Sequence, residues 1–286
     1  MRRSLLFMPG NNPAMLQNSD VFDADAVIYD LEDAVSPTEK DSARNLVSAF
    51  LSARKKPFPM EIVVRINGLD TDYYLADLKA VVSDKIDTIM LPKATVKYLK
   101  ELDEILTEIE KEKGLSKKIG VIPIIELSVS VLEIDEIVKM PRVNGVLLGA
   151  EDLTSDLEVS RTKKGDEILY PRQKLAYACS AYKIDSIDTP FTDVADEEGL
   201  EKDCRFVCGI GLTSKAAIHP NQVGVINSIF VPSQDKIKWA LRVEEASKNA
   251  LEKGLGVFSL DGKMVDKPVM ERAKKILLKA KRYNLI

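Results

Sequence analysis

The sequence predicts an α/β protein of the (β/α)8 TIM barrel type with a C-terminal helical extension, on three observations. Eight short runs rich in β-branched residues recur along the 286 residues. Each run is followed by turn residues and then by a polar amphipathic stretch long enough for a helix. The runs are continuously apolar rather than alternating, as in parallel strands buried on both faces and joined by helical crossovers.

The eight runs are 4–8, 26–29, 62–66, 88–91, 121–125, 146–148, 184–187 and 216–218. Their spacing of roughly 25 to 40 residues is that of one strand and one helix per unit. A doubly wound sheet is the competing architecture, but no Gly-x-Gly-x-x-Gly follows the first run, so a closed barrel is preferred. After the eighth unit, 234–253 and 267–281 read as two more helices, separated by Gly254-Leu255-Gly256 and Asp261-Gly262. The expected division is a catalytic barrel at 1–232 and a helical extension or lid at 233–286.

Composition narrows the function classes. Hydrophobic residues at 45% and charged residues at 30% allow a large core beneath a well-solvated surface. A net charge of −4 with mixed signs argues against nucleic acid as a main partner. The apolar run near Met1 stops at Pro9-Gly10, too short for a secretory signal, and no stretch approaches the roughly 20 apolar residues of a membrane span. A cytoplasmic protein is expected. Cys179, Cys204 and Cys208 are expected as free thiols, because a zinc site at Cys204 and Cys208 would lack further ligands in a chain with one histidine.

Barrel enzymes carry their chemistry at the C-terminal ends of the strands. Those positions here hold Pro9-Gly10-Asn11-Asn12, Asp30-Leu31-Glu32-Asp33, Arg65 with Asn67, Pro92-Lys93, Glu126, Gly149-Ala150-Glu151-Asp152, Asp188 and His219-Pro220-Asn221. Several acids at one mouth repel one another unless a cation lies among them. With oxygen donors and no His or Cys cluster, Mg2+ or Mn2+ is favoured. Each carboxylate has a plainer reading as a helix N-cap, which suits Asp33. Glu126 resists it, because Glu is a poor cap and follows its apolar run directly. Lys93 raises a Schiff-base aldolase, and His219 either a general base or a turn-orienting residue.

In this order, several segments resemble the citrate lyase beta subunits, within an aldolase group that includes malyl- and citramalyl-thioester lyases. They are Arg2-Arg3-Ser4-Leu5-Leu6-Phe7-Met8-Pro9-Gly10-Asn11, Tyr29-Asp30-Leu31-Glu32-Asp33-Ala34-Val35, Val64-Arg65-Ile66-Asn67, Leu91-Pro92-Lys93, Ile125-Glu126, Leu148-Gly149-Ala150-Glu151-Asp152 and Ile218-His219-Pro220-Asn221-Gln222. The resemblance implies that Glu126 and Asp152 ligate Mg2+ and that Arg65 binds the carboxylates of the keto-acid half. It further implies that Arg3 and the loop with Pro9 and Asn11 face the thioester arm, that Asp30 and Glu32 lie near a metal-bound water with Arg44 supporting them, and that Asp266 is an acid/base reaching a neighbouring subunit's mouth. Asp266 also suits an N-cap of the last helix, with Pro268 in its first turn. Two segments depart from the family pattern, Leu127-Ser128-Val129-Ser130 after Glu126 and Ser214-Lys215 near strand eight, which put substrate selection and a local turn in question.

The implied reaction is Mg2+-dependent cleavage of a citryl thioester, carried on coenzyme A or an acyl carrier protein, to oxaloacetate and an acetyl thioester. A transferase subunit of a citrate lyase complex and a homotrimer or hexamer are the implied partners. The alternatives are a stand-alone citramalyl-CoA or malyl-CoA lyase, and a non-catalytic barrel that binds acyl thioesters. A sugar-phosphate isomerase ranks last, since no Gly-rich phosphate loop follows strands seven and eight.

Overall fold

All eight apolar runs become strands of one closed parallel barrel, paired in sequence order with β8 returning to β1. The computed structural model describes residues 1–55, 57–252, 254 and 256–286. Its strands are β1 (Ser4–Pro9), β2 (Ala26–Asp30), β3 (Glu61–Arg65), β4 (Thr88–Leu91), β5 (Gly120–Ile125), β6 (Gly145–Leu148), β7 (Asp185–Asp188) and β8 (Ser214–Ala217). The crossover helices are α1 (Pro13–Gln17), α2 (Lys40–Ala53), α3 (Tyr74–Val81), α4 (Val96–Glu112), α5 (Ser128–Ile137), α6 (Ala150–Asp156), α7 (Leu169–Tyr182), α8 (Glu197–Gly209) and α9 (Pro220–Ile229).

The eighth strand begins earlier than the expected 216–218, because Ser214 and Lys215 pair with Ile187 and Asp188 of β7. They are therefore strand residues, not a turn. A buried lysine conceals the strand from a hydrophobicity reading. Lys215 is fully buried, and its charge is balanced by Asp188 and Asp203.

Side chains alternate across a strand, so every second residue enters the barrel interior. The interior layer comprises Leu5, Ala26, Ile28, Val63, Met90, Ile122, Ile124, Leu147, Ile187 and Ala216, with Phe7 packed against it. Two residues further along each strand comes the next inward position, and these are Pro9, Asp30, Arg65, Pro92, Glu126, Gly149, Thr189 and Ile218. The apolar plug thus ends in a polar mouth. At the opposite end the in-phase residues Glu61, Thr88 and Asp185 meet Arg2, which bonds Glu61, Asp185 and Asn144 and closes the base of the barrel.

Gly10 ends β1 against β2, donating its N–H to the Asp30 carbonyl at 2.8 Å. A Cβ there would lie 2.7 Å from that oxygen, so the close approach requires glycine.

The chain divides into two units, Met1–Asn227 and Ser228–Ile286. The second contains α10 (Gln234–Glu252), an antiparallel hairpin of β9 (Phe258–Leu260) and β10 (Lys263–Val265), and α11 (Lys267–Arg282). The expected helices at 234–253 and 267–281 correspond to α10 and α11, while Lys253 and Leu255 lie outside the described residues. The hairpin was not anticipated. Its turn is Asp261-Gly262, at φ 53° and 73°, the left-handed pair that favours a tight hairpin. Ala240, Val243, Val265, Ala273 and Leu277 form this unit's buried core, with Trp239 and Phe258 against it.

Candidate active site

A cavity of about 420 Å3 opens at the C-terminal ends of the strands, lined by Phe7, Pro9, Asp30, Asp33, Arg65, Glu126, Gly149, Asp152, Thr189 and Ile218 among others. Aliphatic and aromatic walls surround a charged floor.

Arg65, at the end of β3, organises one side. Its Nε donates to Asp30 Oδ1 at 2.7 Å and its Nη2 to Asp30 Oδ2 at 2.6 Å, a two-pronged pairing of a planar fork with a carboxylate. Its Nη1 lies 2.8 Å from Glu32 Oε2 and 3.1 Å from Asp33 Oδ2. The guanidinium also stands 5.0 Å from the centre of the Phe7 ring, a cation–π arrangement that fixes its plane. Asp30 further accepts from the N–H groups of Glu32 and Ala34, so all its acceptor capacity faces protein. It borders the cavity while holding Arg65 and the loop after β2.

Glu32 sits close to Arg65 without accepting a hydrogen bond from it, since Oε2 is buried and has no well-directed donor. Burial pushes the Glu32 carboxyl up to about 8, with Arg65 opposing and Asp33, Glu126 and Asp30 reinforcing the rise. The loop that carries it is fastened by Lys40, whose Nζ donates to the carbonyls of Leu31 and Glu32 at 2.9 and 2.7 Å.

Glu126 is 2% exposed and lies just beyond β5. Burial raises its carboxyl to about 7; the Lys93 N–H opposes the shift and the charge of Asp152 adds to it. Lys93 takes a left-handed φ of 47°, which turns its N–H onto Glu126 Oε1 at 2.5 Å. Asp152 is an exposed residue in the first turn of α6 and lines the same cavity. Between them lies Gly149, where a Cβ would come within 2.6 Å of Glu126 Oε2. The glycine leaves room for the carboxylate.

These residues suit a hard divalent cation. Glu126 is buried beside a second acid with one backbone donor, so its charged form lacks a full set of partners, and the available donors are all oxygens. Among the described residues no three His, Cys, Asp or Glu side chains form a ready-made metal cluster. Two carboxylates with remaining positions left to substrate and water is the habit of Mg2+, which keeps much of its hydration.

Other expected residues lie elsewhere. Arg3 precedes β1 and pairs with Asp25, which precedes β2, through Nε and Nη2 at 2.9 and 2.8 Å. It therefore belongs to the base of the barrel, opposite the thioester-facing position expected of it. Pro9 lines the mouth, and Asn11 follows in the adjacent loop, its amide donating to Glu39. Arg44 bonds Asp77 and Asp41 rather than the Asp30-Glu32 loop. It reaches that loop only through Asp77, which accepts from Asn67, whose amide in turn donates to the Leu31 carbonyl.

Asp33 is not an N-cap, because no helix starts there and its carboxylate faces Arg65. Asp188 leaves the rim for the same reason that Lys215 is hidden: both are out of phase with the inward positions and face the helix layer, where Asp188 pairs with Arg172 and Lys215. Lys93 Nζ meets Asp70 at 3.3 Å, and His219 Nδ1 accepts from the Asn221 N–H at 3.2 Å, the turn-orienting role. Asp266 is the N-cap of α11, accepting from Val269 N–H at 3.2 Å. The cysteines are free.

The pattern of the chain finds its counterpart among known proteins. Residues 3–220 match the family model for HpcH/HpaI aldolase/citrate lyase. Citrate lyase subunit beta of Leuconostoc mesenteroides subsp. cremoris is 40% identical over 291 residues, covering 100% of this chain and 95% of that protein. Mitochondrial citramalyl-CoA lyase of Rattus norvegicus is 29% identical, covering 96% and 85%. Protein CitE of Mycobacterium tuberculosis, solved with magnesium, acetoacetate and coenzyme A, superposes with a TM-score of 0.78 at 31% identity, over 97% of each chain. By sequence, barrel topology and the acids of its mouth together, the chain belongs to the HpcH/HpaI aldolase/citrate lyase family.

Proposed function

We propose that this protein is a Mg2+-dependent carbon–carbon lyase of the citrate lyase beta type, with 1–232 as its catalytic barrel and 233–286 as a helical extension. It cleaves a citryl thioester to oxaloacetate and an acetyl thioester. The observation that carries the reading is the pairing, within one cavity, of an Arg65 fork with the Glu126 and Asp152 acids, one side for carboxylates and the other for a cation. The solved CitE complexes with magnesium and with acetoacetate or pyruvate support the same pairing of ligands.

Cleavage requires removal of the proton on the tertiary hydroxyl, scission of the adjacent carbon–carbon bond and protonation of the resulting carbanion equivalent. Glu126 and Asp152 hold the divalent cation. Bound there, it supplies Lewis-acid polarisation of the oxygen that becomes the ketone. Arg65 receives the carboxylates of the keto-acid half through Nη1, the edge that its two-pronged pairing with Asp30 leaves toward the cavity. Glu32, a buried carboxyl with high proton affinity, takes the hydroxyl proton. The electron pair of the broken bond passes to the thioester enolate, and Asp266, reaching from a neighbouring subunit, returns a proton to its carbon. Pro9 and Asn11 border the thioester arm.

The thioester carrier is coenzyme A or an acyl carrier protein with a transferase subunit, and the working form is a trimer or hexamer in the cytoplasm. Among the described residues no helix is long and apolar enough to cross a membrane. The test is oxaloacetate release from citryl-CoA with Mg2+, with EDTA, and with Asp152→Ala, against citramalyl-CoA and malyl-CoA. Metal-dependent release from citryl-CoA, lost in Asp152→Ala, is expected. Preference for another thioester would move the protein to the sister lyases, and inactivity on all three would remove the free-CoA reading.

A further inference from the structure

Helix α6 carries Asp152 in its first turn but begins without a side-chain cap of its own, since its N-cap residue is Gly149. Ordinarily Ser, Thr, Asp or Asn occupies that position and accepts from the exposed N–H groups of the first turn. Here none can, because even a Cβ at residue 149 would lie 2.6 Å from Glu126 Oε2 and 2.8 Å from Ile124 Cγ2. The space that a capping side chain needs is taken by Glu126.

The missing acceptor comes from a neighbouring strand. Thr189, 2% exposed and immediately after β7, places Oγ1 3.3 Å from the Ala150 N–H. Thr189 is itself fixed from behind, because Lys215 Nζ donates to its carbonyl at 2.7 Å while pairing with Asp188 and Asp203.

We propose that Thr189 is a positioning residue for the cation site: it caps α6 in trans and so fixes Asp152 relative to Glu126. The inference rests on the reading that Glu126 and Asp152 hold a divalent cation. The Lys215 network sets the height of Thr189, Thr189 sets the start of α6, and α6 sets Asp152. Threonine at this position is then required for its hydroxyl and not for its volume.

The experiment is Mn2+ binding to the full chain, followed by electron spin resonance of the free ion, for wild type, Asp152→Ala, Thr189→Val and Thr189→Ser. Thermal midpoints are measured in EDTA alongside. Loss of an orienting partner of a metal site typically weakens metal binding by about 10- to 100-fold. We expect at least about a tenfold loss in Thr189→Val, restoration in Thr189→Ser, and binding lost in Asp152→Ala. Wild-type affinity in Thr189→Val, with Asp152→Ala still deficient, overturns the positioning role while leaving the metal reading intact. Equal weakening of Thr189→Val and Thr189→Ser overturns it too, since a hydroxyl at this position would then not be what sustains binding. Unchanged binding in Asp152→Ala overturns both. If Thr189→Val fails to fold, Thr189→Ala replaces it under the same criteria.

Discussion

Asp30 grips Arg65 with both carboxylate oxygens, at 2.7 and 2.6 Å, and thereby decides which edge of the guanidinium faces the cavity. Nη1 is left among Glu32 and Asp33, at the open side. Substrate carboxylates entering the mouth meet the Nη1 edge of a guanidinium already held in plane. Arg65→Lys keeps the charge but loses the fork, and Asp30→Asn keeps the shape but loses a charge and one acceptor. Steady-state kinetics should show KM raised by about tenfold or more in Arg65→Lys, each tenfold being about 1.4 kcal/mol, with a smaller rise in Asp30→Asn. The reverse order would mean that Asp30 touches substrate directly.

Glu126 gives the cation site a pH dependence whose sign can be worked out. Its folded carboxyl is raised to about 7 by burial, against an ordinary value near 4.5. A raised acid binds more protons folded than unfolded across that window, so the metal-free protein loses stability as pH climbs from about 4.5 to about 7. Metal needs the deprotonated carboxylate and competes with that proton. The rise in thermal midpoint on adding Mg2+ should therefore be small near pH 5.5 and grow until about pH 8, where Glu32, raised to about 8, also sheds its proton. A Mg2+ effect independent of pH across this range would exclude Glu126 as the ligand that titrates. Glu126→Gln should show no such growth.

These positions were readable in the sequence to the extent that strand phase was readable. Asp30 and Glu126 follow an apolar run and Arg65 lies near the end of one, each two residues beyond an inward-facing Ile28, Ile124 or Val63, so period-two alternation carries them to the mouth. The same rule takes Asp188, Lys93 and His219 out of phase and away from the cavity, but says nothing of Asp33 and Asp152, which line it from a loop and a helix. What the linear pattern conceals is pairing at long range. Lys215 is buried only because Asp188 and Asp203 arrive from β7 and α8, which makes β8 look shorter and later than it is. Arg3 shares the opening segment with Pro9 but precedes the six-residue strand that Pro9 ends, so adjacency in sequence meant opposition in space. Thr189 carries no motif at all; its role emerges from the crowding at Gly149.

The base of the barrel predicts a stability effect separable from chemistry. Arg2 joins β3 and β7 by bonding Glu61 at 2.5 and 2.8 Å and Asp185 at 2.9 Å, with Asn144 filling its remaining direction. Burial alone would raise the Glu61 carboxyl, but the hydrogen bonds and charge of Arg2 overcome it and hold it below its ordinary value. A depressed acid stabilises the fold above its unfolded value and loses that contribution as pH falls through its folded value. Arg2→Ala leaves Glu61 without its guanidinium and Asp185 with the Met1 ammonium alone, and should cost about 3 kcal/mol in urea unfolding. The exposed pair Arg205 and Glu201 provides the contrast, with Arg205→Ala expected within about 0.5 kcal/mol of wild type. Equal losses would show that Arg2 acts as an ordinary surface charge.

Asp266 combines a visible role with a proposed one, and the two can be separated by substitution. Its side chain accepts from Val269 N–H, capping α11, and Pro268 occupies the first turn, where a missing N–H costs nothing. Asparagine caps a helix as well as aspartate does, whereas alanine cannot; alanine should cost about 1 kcal/mol of helix stability. Neither replacement transfers a proton as a carboxylate does. If Asp266 protonates the enolate carbon, Asp266→Asn and Asp266→Ala should both lower kcat by about 100-fold or more, while only Asp266→Ala lowers the unfolding midpoint of the extension. Mn2+ binding should be unchanged in both, because the carboxylates proposed as ligands are untouched. A fully active Asp266→Asn would reduce Asp266 to a cap, and the proton would then have to come from a residue of the barrel mouth itself, with Glu32 the buried acid to test next.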